Sequence, residues 1–372
     1  MKKLLLSSRM LVALLFINLQ IIQAQLTTIP DGGNKKASIS ERIGITDVSV
    51  HYNRPAVKGR EGKIWGQLVG YGFNDPGFGT SKAAPWRAGA NENTLIEFST
   101  DVKIEGRELP AGRYGFHIAI SPETCTLIFS KNSSSWGSFF YDEKEDALRV
   151  AVKPQVMDNK VEWLKYEFMD ETVNSAVVAL LWEKWKIPFK IEVDYIKTQL
   201  ESFRRELRSD KGFNWRAWQQ AAVFCVQANT NLEEGLGWAE AAVSRPFVGD
   251  RNFVTLSTKA QVLGKLNRMA EADSLMKEAM PLGKATEVHT YARQLLMQKR
   301  YKEAFDAFKF NYDKHPNEFT TLMGMVRGYS ALGDFKKALS FAEKALPKAP
   351  DKLNKDNLEG MLGKLKDGKD VN

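Results

Sequence analysis

The sequence has few of the residues that bind metals or form disulfides. Its 372 residues include only two cysteines, Cys125 and Cys225, and four histidines. Two cysteines do not make a disulfide framework, and no CxxC, HxH or HxxxH spacing occurs. Both cysteines occupy apolar positions of periodic segments, which favours buried thiols. The sequence therefore predicts no metal site and no cofactor.

The common catalytic motifs are missing as well. There is no GxSxG elbow, no phosphate-binding loop and no dinucleotide fingerprint. The run Ser133–Ser135 before Trp136 predicts a turn rather than a nucleophile. His51 and His117 fall on the polar faces of predicted strands, and His289 and His315 fall in predicted helices, so we expect surface roles for all four. No reaction can be named from these residues.

Long apolar runs are confined to the first residues of the chain. Lys2, Lys3 and Arg9 precede the apolar run Met10–Ile17, and the small residue Ala24 follows. This layout predicts a signal peptide, residues 1–24, cleaved after Ala24. Polar residues interrupt the run before it reaches the length of a membrane span, so no stable membrane insertion is expected after cleavage. The mature protein is predicted to be periplasmic or extracellular.

The charge of the chain is only mildly basic. Removing residues 1–24, which carry three positive charges and no negative one, lowers the formal net charge from +8 to +5. Nucleic-acid binding usually requires Lys and Arg concentrated on one face. We therefore predict no nucleic-acid partner.

Alternation of apolar and polar residues predicts an antiparallel β domain over residues 37–193, after a flexible lead-in over residues 25–36. The alternation is clear at Val48–Tyr52, Tyr114–Ile120 and Leu148–Val152. Further strands are predicted at 93–99, 101–105, 124–130, 160–168, 175–183 and 186–193. Helical periodicity does not interrupt these strands, which indicates a β sandwich or barrel.

Helical periodicity begins after Asp194. This periodicity predicts a linker helix over residues 194–212 and about four helical pairs over residues 213–350. A polar cap or tail is predicted over residues 351–372. The best evidence is a self-match at a step of 34, which pairs Tyr301 with Phe335, Ala304 with Ala338, Phe308 with Ala342, and Pro316 with Pro350. Ala272, Met276, Ala279 and Pro281 repeat the pattern after a slightly irregular step. This pattern resembles the tetratricopeptide repeat, so the predicted fold class is an antiparallel β domain followed by an α-helical solenoid.

Residues 37–193 resemble a secreted bacterial family known as domain of unknown function 2911. The matching motifs are GRE at 59–61, IWG at 64–66, WRAGANENT at 86–94, DVKIEG at 101–106, LPAGRY at 109–114, LIFSK at 127–131, WGSFFYDE at 136–143 and LRVAVKP at 148–154. The resemblance implies a β-rich fold and a secreted location, but it transfers no activity. A Gly/Pro-rich insert between Tyr71 and Trp86 departs from the family pattern.

A cluster of loop residues is the first candidate binding site. It consists of Arg60, Glu61, Trp65, Trp86, Arg87, Asn91, Glu92 and Thr94. Indole faces and guanidinium groups suit a sugar or a peptide carboxylate. In the structural alternative, Trp65 and Trp86 fill the core, Arg87 pairs with Glu92, and Asn91 forms a turn. A third interpretation is a hydrolase in which Glu61 or Glu92 acts as acid or base.

The repeat array offers a second candidate surface. A concave groove lined by first helices can hold an extended peptide or a partner helix. The predicted groove residues are Arg293, Gln294, Arg327 and Tyr329. Alternatively, the array only packs against the β domain. The leading hypothesis is a non-enzymatic envelope protein that binds a protein, peptide or glycan partner, while the ligand and the oligomeric state stay open.

Overall fold

A computed structural model describes residues 33–372 of the chain. These residues divide into two compact units, 33–198 and Gln199–Asn372. The predicted signal peptide, residues 1–24, and most of the predicted lead-in, residues 25–36, lie outside the described residues. Lys35 already begins the first strand, two residues before the predicted start of the β domain. Among the described residues, no helix has the length and apolar composition that a bilayer crossing requires.

The described part of the first unit is built from antiparallel strands. These are β1 (Lys35–Ile43), β2 (Thr46–Arg54), β3 (Thr94–Phe98), β4 (Val102–Ile104), β5 (Arg107–Leu109), β6 (Gly112–Ala119), β7 (Cys125–Ser130), β8 (Asp146–Val152), β9 (Gln155–Met169) and β10 (Ser175–Glu192). One sheet has the order β1-β2-β3-β6-β7-β8, and the other has the order β5-β4-β10-β9.

The two sheets share one apolar core. Phe189 of β10 lies 5.5 Å from Phe116 of β6 and 6.2 Å from Phe129 of β7, measured between ring centroids. All three rings are buried. Burial of aromatic rings is a large favourable contribution to folding. The predicted sandwich is therefore confirmed, and the two sheets do not close into the alternative barrel.

The sequence predicted two strands where the structure has the single strand β10. The predicted break between 183 and 186 corresponds to a β-bulge around Glu183, which has a positive φ of 52°. A bulge inserts a residue and reverses the inward and outward alternation without ending the strand. Strand β9 also begins earlier than predicted, because its first residues pair with β10 while they remain largely exposed.

The Gly/Pro-rich insert between Tyr71 and Trp86 lies beside the end of β6. Isolated bridges join Gly72 to Ile120 and Trp86 to Ile118. The insert also lies close to the segment after β7. A Cβ on Gly79 would be 2.2 Å from the carbonyl oxygen of Phe139. Glycine at this positive-φ position permits that contact.

The second unit consists of helical hairpins, as predicted. Helix α1 begins four residues before the boundary between the units. The helices are α1 (Tyr195–Glu206), α2 (Trp215–Ala228), α3 (Leu232–Ser244), α4 (Phe253–Lys265), α5 (Met269–Ala279), α6 (Ala285–Met297), α7 (Tyr301–Lys314), α8 (Phe319–Ala331), α9 (Phe335–Ala345) and α10 (Lys352–Lys366). Four hairpins follow α1, namely α2/α3, α4/α5, α6/α7 and α8/α9.

Small residues permit close packing of these helices. Ala304 and Ala338, which the 34-residue step aligns, are both fully buried. On α8, a Cβ on Gly324 would lie 2.6 Å from the ring of Phe308 on α7. The last helix, α10, buries Leu358 in the cluster formed by α8 and α9.

Candidate functional site

Trp65 and Trp86, two of the predicted loop residues, belong to an aromatic cluster. The Trp65 ring stacks on Trp185 at 4.8 Å, and the Trp86 ring stacks on Trp182 at 6.0 Å. The Trp86 indole N–H donates to the carbonyl of Gly89 at 3.0 Å. Stacked and edge-to-face contacts of this kind stabilise a core. The packing favours the structural alternative for both tryptophans.

Arg60 and Glu61 also make contacts that stabilise the local fold. The Arg60 guanidinium donates to the carbonyls of Val57 at 2.9 Å and Ala56 at 2.7 Å. An oxygen of Glu61 lies 2.6 Å from the ammonium group of Lys160. The hydrogen bond from Lys160 lowers the pKa of the Glu61 carboxyl.

Arg87 and Thr94 hold the loop between β2 and β3. The Arg87 guanidinium lies 4.8 Å from the centre of the Phe139 ring and donates to the backbone carbonyl of Asn91. Burial lowers the pKa of Arg87. The hydroxyl of Thr94, which is fully buried, donates to the carbonyl of Ala88 at 3.1 Å. The structural alternative expected Arg87 to pair with Glu92, and this is wrong, because the Glu92 carboxylate has other partners.

Glu92 pairs with β1 and β2. Its two oxygens accept from the ammonium of Lys36 at 2.8 Å and from the amide of Asn53 at 3.1 Å. These bonds, the one from Lys36 above all, lower the pKa of the Glu92 carboxyl. Asn91 has a positive φ of 59° and accepts from the Asn34 amide at 3.2 Å, so it serves as a turn residue.

Glu61 and Glu92 therefore sit in separate ion pairs, with Lys160 and Lys36 respectively. A general acid needs a raised pKa, which burial away from a counterion supplies. The lowered pKa of each carboxyl is the opposite of what a role as general acid requires.

The surface role predicted for His117 is wrong. Its side chain is 2% exposed, and its Nδ1 atom lies 3.0 Å from the hydroxyl of Ser138. Burial, together with the positive charge of Arg87, lowers the pKa of His117 to about 4. Alternation along β6 could not reveal this, because the outer face of the strand is covered by the segment that contains Ser138 and Tyr141. Within residues 33–372, no three His, Cys, Asp or Glu side chains converge as a metal site would require.

The helical stack opens between its second and third hairpins. Helix α3 packs on α4 and so joins the first hairpin to the second. Helix α7 packs on α8 and so joins the third hairpin to the fourth. The corresponding helices α5 and α6 barely contact each other. The ion pair between Arg300 and Asp273, at 2.7 Å, is one of the contacts that span this opening.

The opening forms a groove of about 730 Å³, which we call the hairpin groove. Apolar side chains make much of its wall, and amide side chains from three helices are spread along it. Its lining includes Val223, Val226, Val254, Met269, Met276, Leu295, Gln219, Gln261, Gln294 and Gln298. The burial of the Tyr291 ring in its wall raises the pKa of that phenol to about 12.

Only one of the four predicted groove residues, Gln294, lines this groove. Tyr329 packs between helices, 4.9 Å from Phe305 and 5.6 Å from Phe341. Arg327 is covered by the end of the chain, since its carbonyl accepts from the Asn372 side chain at 3.1 Å. Arg293 lies close enough to lower the pKa of Arg327, although burial is the larger cause. The prediction assumed that first helices remain open along the whole array, whereas the C-terminal residues cover α8.

Comparison with known proteins finds a family match for most of the described part of the first unit. Residues 34–191 match the model of a family described as a protein of unknown function, DUF2911. The family resemblance predicted from the motifs is confirmed. No curated protein sequence matches the chain.

Solved structures of tetratricopeptide repeat proteins are similar to part of the chain. The structure of YrrB, titled a TPR protein with an unusual peptide-binding site, is 18% identical over 44% of this chain and 84% of its own, with a TM-score of 0.30. TTC0263, a thermophilic TPR protein of Thermus thermophilus, is 15% identical over 45% of this chain and 91% of its own, with a TM-score of 0.30. A repeat protein from Parabacteroides merdae is 14% identical over 47% of this chain and 68% of its own, with a TM-score of 0.31.

The DUF2911 region also contains a cleft that the sequence did not predict. It has a volume of about 530 Å³ and lies over strands β1, β2, β3 and β6. Of the predicted loop residues, only Glu92 lines it. The sequence contained one signal for this cleft, the large aromatic residue Trp136 directly after the predicted polar turn Ser133–Ser135.

Proposed function

We propose that this protein binds an extended peptide segment of a partner protein in the hairpin groove. The observation that supports this is the opening between α5 and α6. The other neighbouring hairpins of the stack pack against each other without such an opening. An unfilled opening leaves the apolar side chains of both hairpins in contact with water, and a bound chain would bury them.

The lining of the groove favours a peptide with few charges. Gln261 and Gln294 project from helices on opposite sides of the opening, and each amide can donate to and accept from a peptide backbone. Asp273 and Arg300 neutralise each other at the edge of the groove. The other two charged side chains of the lining, Lys265 and Glu287, are of opposite sign, and much of the remaining wall is apolar. We therefore expect the peptide to present small or medium apolar side chains.

Peptide selection followed by substitution tests this function. Random dodecapeptides displayed on phage are selected against the full mature chain, and binding of the synthetic peptides is measured by calorimetry. Replacing both Gln261 and Gln294 with alanine should weaken binding at least tenfold, because each lost pair of backbone hydrogen bonds contributes about 1 kcal/mol.

The matched control is Gln220→Ala, which removes an exposed glutamine of α2 outside the groove lining. It should leave the affinity within a factor of two. Failure to select any peptide, or equal affinities for the double variant and the control, would exclude the hairpin groove as the binding site.

We propose further that the chain acts outside the cytoplasm, because its first residues have the composition of a signal peptide. Expression of the full gene in a bacterial host should yield a periplasmic or secreted protein whose N-terminus, found by mass spectrometry, is Gln25. Deletion of residues 2–24 should keep the protein in the cytoplasm. An N-terminus at Met1 in the cytoplasm of the wild-type strain would contradict export.

A further inference from the structure

The cleft in the DUF2911 region, which we call the sheet cleft, has the outer face of the larger sheet as its floor. The strand registers place Ser38, His51 and Leu95 in one row across β1, β2 and β3, and the row continues to Gly115 on β6. Neighbours in such a row point to the same side of the sheet. The opposite side carries the buried core, so the row faces away from it.

The segment 131–137 after β7 forms the roof of the sheet cleft. It crosses the floor at Gly115, where a Cβ would lie 2.4 Å from the carbonyl oxygen of Asn132. The Asn93 amide donates to the same carbonyl at 3.3 Å. The Asn132 side chain accepts from the backbone of Ser134 and Ser135 at 3.3 and 3.2 Å, which fixes the turn.

The roof presents one large aromatic ring. Trp136 is 55% exposed and lines the cleft together with Ser133, Ser134 and Ser135. Exposed indoles bind ligands that have an apolar face, because the ring is large and rigid. Trp136 therefore differs from Trp65 and Trp86, whose rings pack on other tryptophans.

The walls of the cleft are polar, and most of their charge is compensated. Lys36 pairs with Glu92 at 2.8 Å, which leaves Arg113 as the remaining positive group of the lining. The carboxylate of Glu92, whose side chain is 39% exposed, is an acceptor of the lining that a ligand can reach.

From this arrangement we infer that the sheet cleft is a binding site for a neutral sugar of one or two rings. The apolar face of a pyranose ring stacks on Trp136, and its hydroxyl groups donate to the carboxylate of Glu92. Arg113 and the serine hydroxyls of the roof supply donors for the sugar oxygens. The volume of about 530 Å³ falls in the range of small-molecule sites.

Other classes of ligand fit the lining less well. A cationic molecule would be repelled by Arg113, and a strongly anionic molecule would find this single unpaired cation of the described lining beside the carboxylate of Glu92. An apolar peptide side chain would find Trp136 and Leu95 but few other apolar partners. A polyol with one apolar face satisfies both the ring and the polar walls.

Saturation-transfer NMR on the full mature chain tests this site with four neutral disaccharides, namely cellobiose, maltose, lactose and N,N′-diacetylchitobiose. At least one should receive saturation at its ring protons. Trp136→Ala should reduce the signal or the affinity at least tenfold. Because Trp136 is exposed, this variant should fold, and its circular dichroism spectrum should match that of the wild type.

The matched control is Phe78→Ala, which removes a 66% exposed aromatic ring of the same unit outside the cleft. It should leave the sugar signal unchanged, as should the double variant at Gln261 and Gln294 in the hairpin groove. The proposal is overturned if no disaccharide binds the wild type, if Trp136→Ala binds as well as the wild type, or if glucose 6-phosphate or a selected peptide takes the site in preference to every neutral sugar.

Discussion

At the scale of single residues, exposure separates the tryptophans that stabilise the sandwich from the one that faces the sheet cleft. Trp65 contacts the rings of Trp86, Trp182 and Trp185. Trp136 makes no comparable aromatic contact among the described residues and is 55% exposed. Sequence alone singled out Trp65 and Trp86 because they lie in polar loops, and it could not reveal which rings pack.

Replacing each of these tryptophans with alanine should therefore have different effects on stability. Trp65→Ala should lower the free energy of unfolding by about 3 kcal/mol, because it removes ring contacts and leaves a cavity. Trp136→Ala should change it by less than about 0.5 kcal/mol, as is usual for exposed positions. Urea denaturation followed by circular dichroism measures both. Equal losses would contradict the assigned roles.

His117 should make stability fall as the solution becomes acidic. The unfolded state takes up a proton near pH 6.5, whereas the folded state resists protonation until pH about 4. Stability from this group is complete above pH 6.5 and is lost as the pH falls toward 4, by about 3 kcal/mol in total. Urea denaturation of wild type and His117→Gln across this range should show a shallower decline in the variant. Parallel curves would contradict a buried neutral histidine.

Replacement of two glycines by alanine should change the stability of the protein in opposite directions. Gly115→Ala places a Cβ 2.4 Å from the Asn132 carbonyl and should cost about 1–3 kcal/mol of stability, since the roof must shift. Gly237→Ala, in helix α3 with open space around it, should add about 0.5–1 kcal/mol. Thermal denaturation compares the two, and a stabilising Gly115→Ala would show that the roof does not rest on the sheet.

At the scale of secondary-structure elements, local pattern predicted most strands and helices, but it could not predict what covers them. Apolar and polar residues do alternate along β6 as predicted. His117, on the polar side of the strand, is nevertheless buried by a segment that lies more than 20 residues further along the sequence. The bulge at Glu183 looked like a chain break because it reverses the alternation. The sheet cleft combines residues from Lys36 to Trp136, which only strand register and the contact at Gly115 bring together.

The ion pair between Asp273 and Arg300 should help to hold the two sides of the hairpin groove together. Asp273→Asn weakens the contact with Arg300, one of the links between α5 and the third hairpin. Hydrogen exchange should become faster in α5 and α6, while α8 and α9 should be unaffected. The control is Asp313→Asn, which breaks a pair with Lys309 inside α7. The same exchange rates in both variants would show that the Arg300 pair does not join the hairpins.

At the scale of the whole molecule, the repeat pattern predicted the number of hairpins but not the opening between them. The step from Ala272 to Ala304 is two residues shorter than the 34-residue step from Ala304 to Ala338. This irregularity was visible in the sequence, but its consequence depends on how α5 and α6 pack. The described residues thus form two separate cavities, a largely apolar groove in the helical unit and a polar cleft in the DUF2911 region.

The proposed function depends on a partner peptide binding where the second and third hairpins separate. Hydrogen–deuterium exchange of the full mature chain, with and without a selected peptide, tests it directly. The bound peptide should slow exchange in α4, α5 and α6 and leave exchange in α8, α9 and α10 unchanged. Protection centred on α8 to α10, or no protection in α4 to α6 at a saturating peptide concentration, would contradict it.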